Sequence, residues 1–131
     1  MGARILIVDD EETIREIETA FLSAEGYECM QASDGEKALA ILNSGEKFDL
    51  VISDILMPEM DGFTLLGKVK KRYPELPVVI QCSSSNEDWI DMARTGGAYD
   101  YLLVPFERKE LFDMVRRALA SARSDGANGL L

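Results

Sequence analysis

Apolar residues along this chain fall into short unbroken runs, separated by longer stretches in which they recur every three or four positions. Unbroken runs suit strands buried on both faces, and the wider spacing suits helices with one apolar side. The first run, Ile5-Leu6-Ile7-Val8, stops at Asp9-Asp10-Glu11-Glu12, acids that open a helix whose apolar stripe is Ile14, Ile17, Phe21 and Leu22. Gly26 ends that helix, residues 27–32 form a second strand, and Ser33-Asp34-Gly35-Glu36 has the form of a capping box ahead of Ala38, Leu39, Ile41 and Leu42. After Asn43-Ser44-Gly45 the third strand, 48–53, runs into Asp54. Met57-Pro58 and Asp61-Gly62 then turn the chain into a helix carrying Phe63, Leu65, Leu66 and Val69, with Lys68, Lys70, Lys71 and Arg72 as a solvated last turn.

Pro74 and Pro77 bracket the way into a fourth strand, 78–82. Ser83-Ser84-Ser85-Asn86 follows as cap and loop, and Ser85 with Asp88 can box a short helix through Trp89, Ile90, Met92 and Ala93. Gly96-Gly97 ends it, a fifth strand covers 98–104, and Pro105 breaks that strand before a last helix over about 107–122, with Leu111, Val115, Ala118 and Leu119 inward. Residues 124–129 are small and polar, so the spacing predicts one domain over 1–123 followed by a tail or the start of a linker over 124–131. Strands alternating with helices at short connections predict an α/β fold, a doubly wound, five-stranded parallel sheet with five helices. Its flavodoxin-like form has the strand order 2-1-3-4-5.

Charge and composition then narrow the function. A chain of 131 residues with 47% apolar content can bury a core without staples, so Cys29 and Cys82 need not pair, and they lack metal-ligand spacing. The formal net charge of −10 repels phosphate backbones, which argues against nucleic-acid binding by this domain and favours metal ions and basic partners. No apolar run suits a membrane span or a signal peptide, so the expected location is cytoplasmic. The count of histidine is zero, which removes Ser-His catalysis and any internal histidine phosphodonor.

In the predicted order, strands one and three are neighbours, and their carboxyl ends meet where open α/β sheets bind ligands. Asp9, Asp10 and Asp54 would converge there. Like charges raise one another's pKa unless a cation neutralises them, so the cluster predicts a hard divalent ion held by oxygens, magnesium being the natural one. Asp54 could then accept a phosphoryl group as an aspartyl phosphate.

Three stretches carry a resemblance: Ile5-Leu6-Ile7-Val8-Asp9-Asp10-Glu11, Asp54-Ile55-Leu56-Met57-Pro58-Glu59-Met60-Asp61-Gly62, and Gly97-Ala98-Tyr99-Asp100-Tyr101-Leu102 leading to Pro105-Phe106. In that order they resemble the receiver domain of bacterial two-component response regulators. The resemblance implies that Asp54 is the phosphoacceptor, that Asp9, Asp10 and the Leu56 backbone carbonyl join it in holding Mg2+, and that Tyr101 is an aromatic switch. It implies a cis Val104-Pro105 peptide, a histidine kinase or phosphotransfer protein as partner, and no turnover enzyme activity. The family's fourth strand ends in Thr or Ser and its fifth in Lys, whereas this chain has Cys82 and Val104. A thiol is a weak donor and valine none. Ser83 could supply the hydroxyl if the strand end shifts by one residue, and Arg108 or Lys109 is the nearest cation.

The alternative is a pseudo-receiver, an interaction module independent of phosphorylation. An aspartate-dependent phosphatase would need its second aspartate where Leu56 stands, and flavin phosphate would be repelled by Asp9-Asp10-Glu11-Glu12. Trp89 and Met92, three residues apart, form either core packing or a face beside Tyr101 for an output domain or partner.

Overall fold

The computed structural model describes residues 2–128. Its strands are β1 (Arg4–Val8), β2 (Glu28–Ala32), β3 (Leu50–Asp54), β4 (Val78–Cys82) and β5 (Asp100–Leu103). They alternate with helices α1 (Glu12–Ala24), α2 (Gly35–Asn43), α3 (Gly62–Arg72), α4 (Glu87–Thr95) and α5 (Arg108–Asn128). All strand pairs are parallel in the order β2-β1-β3-β4-β5, the predicted order.

The unbroken apolar runs have the cause expected of them. Ile5 to Val8, Leu50 to Ile52 and Val78 to Ile80 are fully covered, because the three central strands have helices on both faces. Alternate residues divide between two cores. Leu6, Val8, Val51, Val78 and Ile80 meet residues of α2, α3 and α4, whereas Ile5, Ile7, Leu50, Ile52 and Val79 meet Leu22 of α1 and Leu111, Met114, Val115 and Ala118 of α5. The edge strand β2 alternates between covered and exposed positions, as a strand with solvent nearby should.

The structure departs from the sequence reading at helix ends and on one helix face. Asp34, not Ser33, caps α2 by accepting from Lys37 N–H at 2.8 Å, and Asn86, not Ser85, caps α4 through Asp88 and Trp89 N–H. Lys70 is not simply solvated: its ammonium donates to the carbonyls of Pro74 and Leu76, both at 2.8 Å. Helix α5 passes the expected end near 122 and continues through Asn128, so most of the expected tail is helical; 129–131 lie outside the described residues. No proline follows Pro105, and extending a formed helix through Ser124-Asp125-Gly126 costs only about 1 kcal/mol per poor residue.

Helix α1 keeps Leu22 buried and Phe21 packed on the core as expected, and departs from its expected face at one position. Ile17 is 45% exposed, and the inward row is Ile14, Glu18 and Leu22, with Glu18 only 3% exposed. Residues four apart line up on a helix, so a line drawn from Ile14 to Leu22 passes through position 18 whatever its chemistry.

Candidate functional site

Pairing of Val8 with Ser53 brings the ends of β1 and β3 to the same carboxyl edge of the sheet. Asp9 follows β1 and is buried, with its Oδ1 accepting Glu11 N–H at 2.9 Å. Asp54 is the last residue of β3 and half-buried, its Oδ1 accepting Ile55 N–H at 2.8 Å. Asp10 is exposed beside them. One carboxylate oxygen from each of Asp9, Asp10 and Asp54 lies within 4.8 Å of the others.

That crowding shows in the protonation chemistry. Burial foremost, and then the charge of Asp9, pushes the Asp54 carboxyl up to about 6. Burial likewise raises Asp9, against the lowering effect of the Glu11 N–H. The nearest guanidinium does not neutralise the cluster, since Arg15 Nη1 donates at 2.7 Å to the backbone carbonyl of Asp9 rather than to its carboxylate. Oxygen donors with unrelieved negative charge, opening on a cavity of about 450 Å³, suit a hard divalent cation.

The turn after Asp54 keeps this tip in place. Gly62 N–H donates to Ile55 carbonyl at 2.8 Å, folding the chain back, and Asp61 caps α3 through Thr64 N–H at 2.8 Å. A Cβ at Gly62 would stand 2.3 Å from the Asp54 carbonyl oxygen, so only glycine permits the approach. Glu59 takes the left-handed conformation at φ 67 within the same turn. Leu56, 62% exposed, stands on this loop at the cavity rim.

Cys82, Ser83 and Val104 complete the rim on the β4 and β5 side. β4 ends at Cys82 as expected, and Val104 N–H donates to the Cys82 carbonyl at 3.0 Å. The Val104-Pro105 peptide is cis, as the resemblance implied. Neither Arg108 nor Lys109 lines the cavity; the Arg108 guanidinium stacks 4.8 Å over the Phe21 ring. Both cysteines are free thiols. Tyr101 is half-buried and its hydroxyl donates to the Ser84 carbonyl at 2.8 Å, an inward arrangement in which burial raises the phenol pKa. Trp89 packs edge-on against Phe63, centroids 6.3 Å apart, while Met92 is 50% exposed. Trp89 thus packs against the core while keeping part of its surface outward, and Met92 faces outward.

Two side chains beneath the cavity escaped the sequence reading. Gln81, directly beside Asp54 in the β3–β4 register, is 2% exposed, and its Nε2 donates to Glu18 Oε1 at 3.1 Å. Burial pushes the Glu18 carboxyl up to about 7. Two signals were available: the four-residue row from Ile14 to Leu22, and a glutamine in an otherwise apolar strand.

The profile of the response regulator receiver domain matches residues 5–116. Response regulator protein FleR of Pseudomonas aeruginosa is 42% identical over 117 residues, covering 89% of this chain and 24% of that protein. The DNA-binding transcriptional regulator NtrC of Salmonella typhimurium is 39% identical over 116 residues, 88% of this chain and 24% of that one. The chain thus spans about a quarter of the length of these curated relatives. Among solved structures, the receiver domain of NtrX from Brucella abortus superposes with a TM-score of 0.83 at 40% identity, covering 88% of this chain and 98% of that one. Chemotaxis protein CheY4 of Vibrio cholerae superposes with a TM-score of 0.86 at 31% identity, covering 91% of this chain and 100% of that one.

Proposed function

This chain belongs to the response regulator receiver family, and from that premise we propose that it is a phosphoacceptor signalling receiver, taking a phosphoryl group onto Asp54 from a histidine kinase or phosphotransfer protein. The observation that carries the reading is the convergence of Asp9, Asp10 and Asp54 at the open carboxyl edge of the sheet. Asp9, Asp10 and Asp54, with the Leu56 carbonyl, would hold magnesium. When bound there, the ion neutralises the carboxylates and the oxygens of an incoming phosphoryl group.

Asp54 Oδ1 accepts Ile55 N–H, which leaves Oδ2 as the freer oxygen for the attack. It forms a bond to phosphorus as the phosphorus–nitrogen bond of the partner's phosphohistidine breaks. The electron pair of that bond stays on the imidazole nitrogen, which takes a proton from water. The chain contains His 0 times, so the donor histidine comes from the partner. On this reading the protein acts in the cytoplasm as acceptor and switch rather than as an enzyme. Its output domain or partner meets the face near Trp89 and Tyr101.

Incubation with magnesium and acetyl phosphate, followed by intact mass, tests the reading. The protein should gain one phosphoryl group, and Asp54→Asn should gain none. No increment in the unaltered protein, or an equal increment in the variant, overturns it.

A second, finer reading is favoured by Cys82 and Val104 on the cavity rim. Relative to the family pattern they remove a charged hydrogen bond of roughly 1.5–3 kcal/mol and a neutral one of about 1 kcal/mol from the phosphorylated state. Allosteric couplings amount to only about 1–3 kcal/mol, so phosphorylation would proceed while switching weakens, and at the limit the domain would act as a pseudo-receiver. Substituting Val104→Lys and Cys82→Thr together should enlarge the amide chemical-shift response to beryllofluoride. A full response in the unaltered protein, with nothing added by the substitutions, would exclude this reading.

A further inference from the structure

Two buried oxygens beneath the carboxylate cavity have no hydrogen-bond partner among the described residues: Glu18 Oε2 and Gln81 Oε1. Unpaired polar atoms in a core are costly, and the surrounding face, with Ile5, Ile7, Ile52 and Val79, would accept apolar residues at both positions. What the pair supplies is a donor. Gln81 Nε2 donates to Glu18 Oε1 at 3.1 Å and also reaches Asp9 Oδ2 at 3.5 Å. Because β3 lies between β4 and β1, the Gln81 side chain crosses beneath the strand that carries Asp54 to arrive there. On the opposite side Glu11 N–H holds Asp9 Oδ1 at 2.9 Å. Asp9 therefore has one donor from the loop above and one from the core below. The Asp9 contact is long for a hydrogen bond, so it contributes direction more than strength.

We propose that Gln81, clamped by Glu18, is a positioning residue for Asp9, and that this buried pair sets how tightly the carboxylate cavity holds a divalent cation. The proposal rests on the metal-binding reading given above. With Glu18 as acceptor, one hydrogen of the Gln81 carboxamide is committed and the other is aimed at Asp9. Without that anchor the carboxamide can rotate, and without Gln81 the Oδ2 side of Asp9 is free to turn away from Asp10 and Asp54. Groups that orient metal ligands in this way commonly account for about 10- to 100-fold in affinity, and the long contact here points to the lower end.

The test compares magnesium affinity, by calorimetric titration, in the unaltered protein, Gln81→Met, Glu18→Gln and the double variant Glu18→Leu/Gln81→Met. Removing both polar groups leaves an apolar core, so the double variant should melt at or above the unaltered protein. It should nevertheless bind magnesium about five- to tenfold more weakly, as should Gln81→Met. Glu18→Gln, whose carbonyl still accepts from Gln81, should recover most of the affinity. In the metal-free protein, the NMR signal of the Asp9 carboxyl carbon should move in Gln81→Met and in the double variant. A well-folded double variant that binds magnesium within about twofold of the unaltered protein, with an unmoved Asp9 signal, overturns the proposal, because a pair that merely fills the core predicts that result. If the unaltered protein binds no magnesium, the metal-binding reading fails instead, and the Asp9 signal alone decides whether Gln81 positions that carboxylate.

Discussion

Acidifying the magnesium-free protein from about pH 8 to about pH 5.5 should raise its thermal stability, the reverse of ordinary acid destabilisation. The carboxyls responsible are Glu18, pushed from 4.5 to about 7, Asp54, pushed from 3.8 to about 6, and Asp9, raised in the same direction; in each the largest cause is burial. A carboxyl whose folded pKa exceeds its unfolded value binds its proton more tightly in the folded state. Stability therefore falls as pH rises from the unfolded value through the folded one, between about 4.5 and 7 for Glu18, and the full cost is present above that window. For Glu18, 3% exposed, the cost is on the order of 3 kcal/mol. The half-solvated Asp54 adds about 1 kcal/mol after screening. Weakened caps and surface pairs offset roughly 1 kcal/mol of this in acid. At pH 5.5 only about 2 kcal/mol of the Glu18 cost and a few tenths of the Asp54 cost have been relieved, so the net is about 1 kcal/mol and the melting temperature about 5 °C higher at the acidic end. Circular-dichroism melts in chelator across that range check the sign, and Glu18→Gln should remove most of the slope. A melting temperature that declines steadily from pH 8 downward would contradict the buried, uncompensated carboxyls.

The second large effect is on the metal. Asp10→Ala should weaken magnesium binding by about 10- to 100-fold, because it withdraws a unit charge from contact with a divalent ion. Asp10 is exposed, so water takes over as ligand and recovers part of the loss. Magnesium stabilises the folded state in proportion to the logarithm of its concentration over the dissociation constant. The rise in melting temperature it produces at neutral pH should therefore shrink sharply in the variant, while the metal-free variant melts no lower than the unaltered protein. Calorimetric titration measures the affinity directly, and an unchanged value would remove Asp10 from the site.

The sequence was most readable where one constraint dominated. β1, β3 and β4 are covered on both faces, so their residues could be little else than apolar, and Asp54 stood out as the charge ending such a run. Asp9 and Asp10 became legible as partners only through strand order, because a parallel sheet brings together residues some forty-five positions apart. The helix caps were misplaced by a single residue because adjacent polar side chains compete for the same N–H groups, and in Ser33-Asp34 and Ser85-Asn86 the longer side chain prevailed. Glu18 was missed for a deeper reason. Hydrophobic periodicity assigns charged residues to solvent, and a buried carboxyl answered by a glutamine on a distant strand violates the pattern at both ends. Such exceptions gather where a core meets a site, and this pair lies beneath Asp9.

The same strand order has a consequence for how the chain is made. β1 is synthesised before the other four strands of this sheet, yet it lies inside the sheet, between β2 and β3, with Ile5 facing Leu50. On the ribosome α1, β2 and α2 can reach it early, but its second edge waits until β3 has emerged, and the face it shares with α5 waits longest. Closing the β3 contact carries the entropic cost of a long loop before burial repays it. The nascent chain thus passes through an interval in which Ile5-Leu6-Ile7-Val8 is an adhesive strand without its neighbour, and Asp9-Asp10-Glu11-Glu12 immediately after it places a solubilising block of negative charge beside the exposed edge.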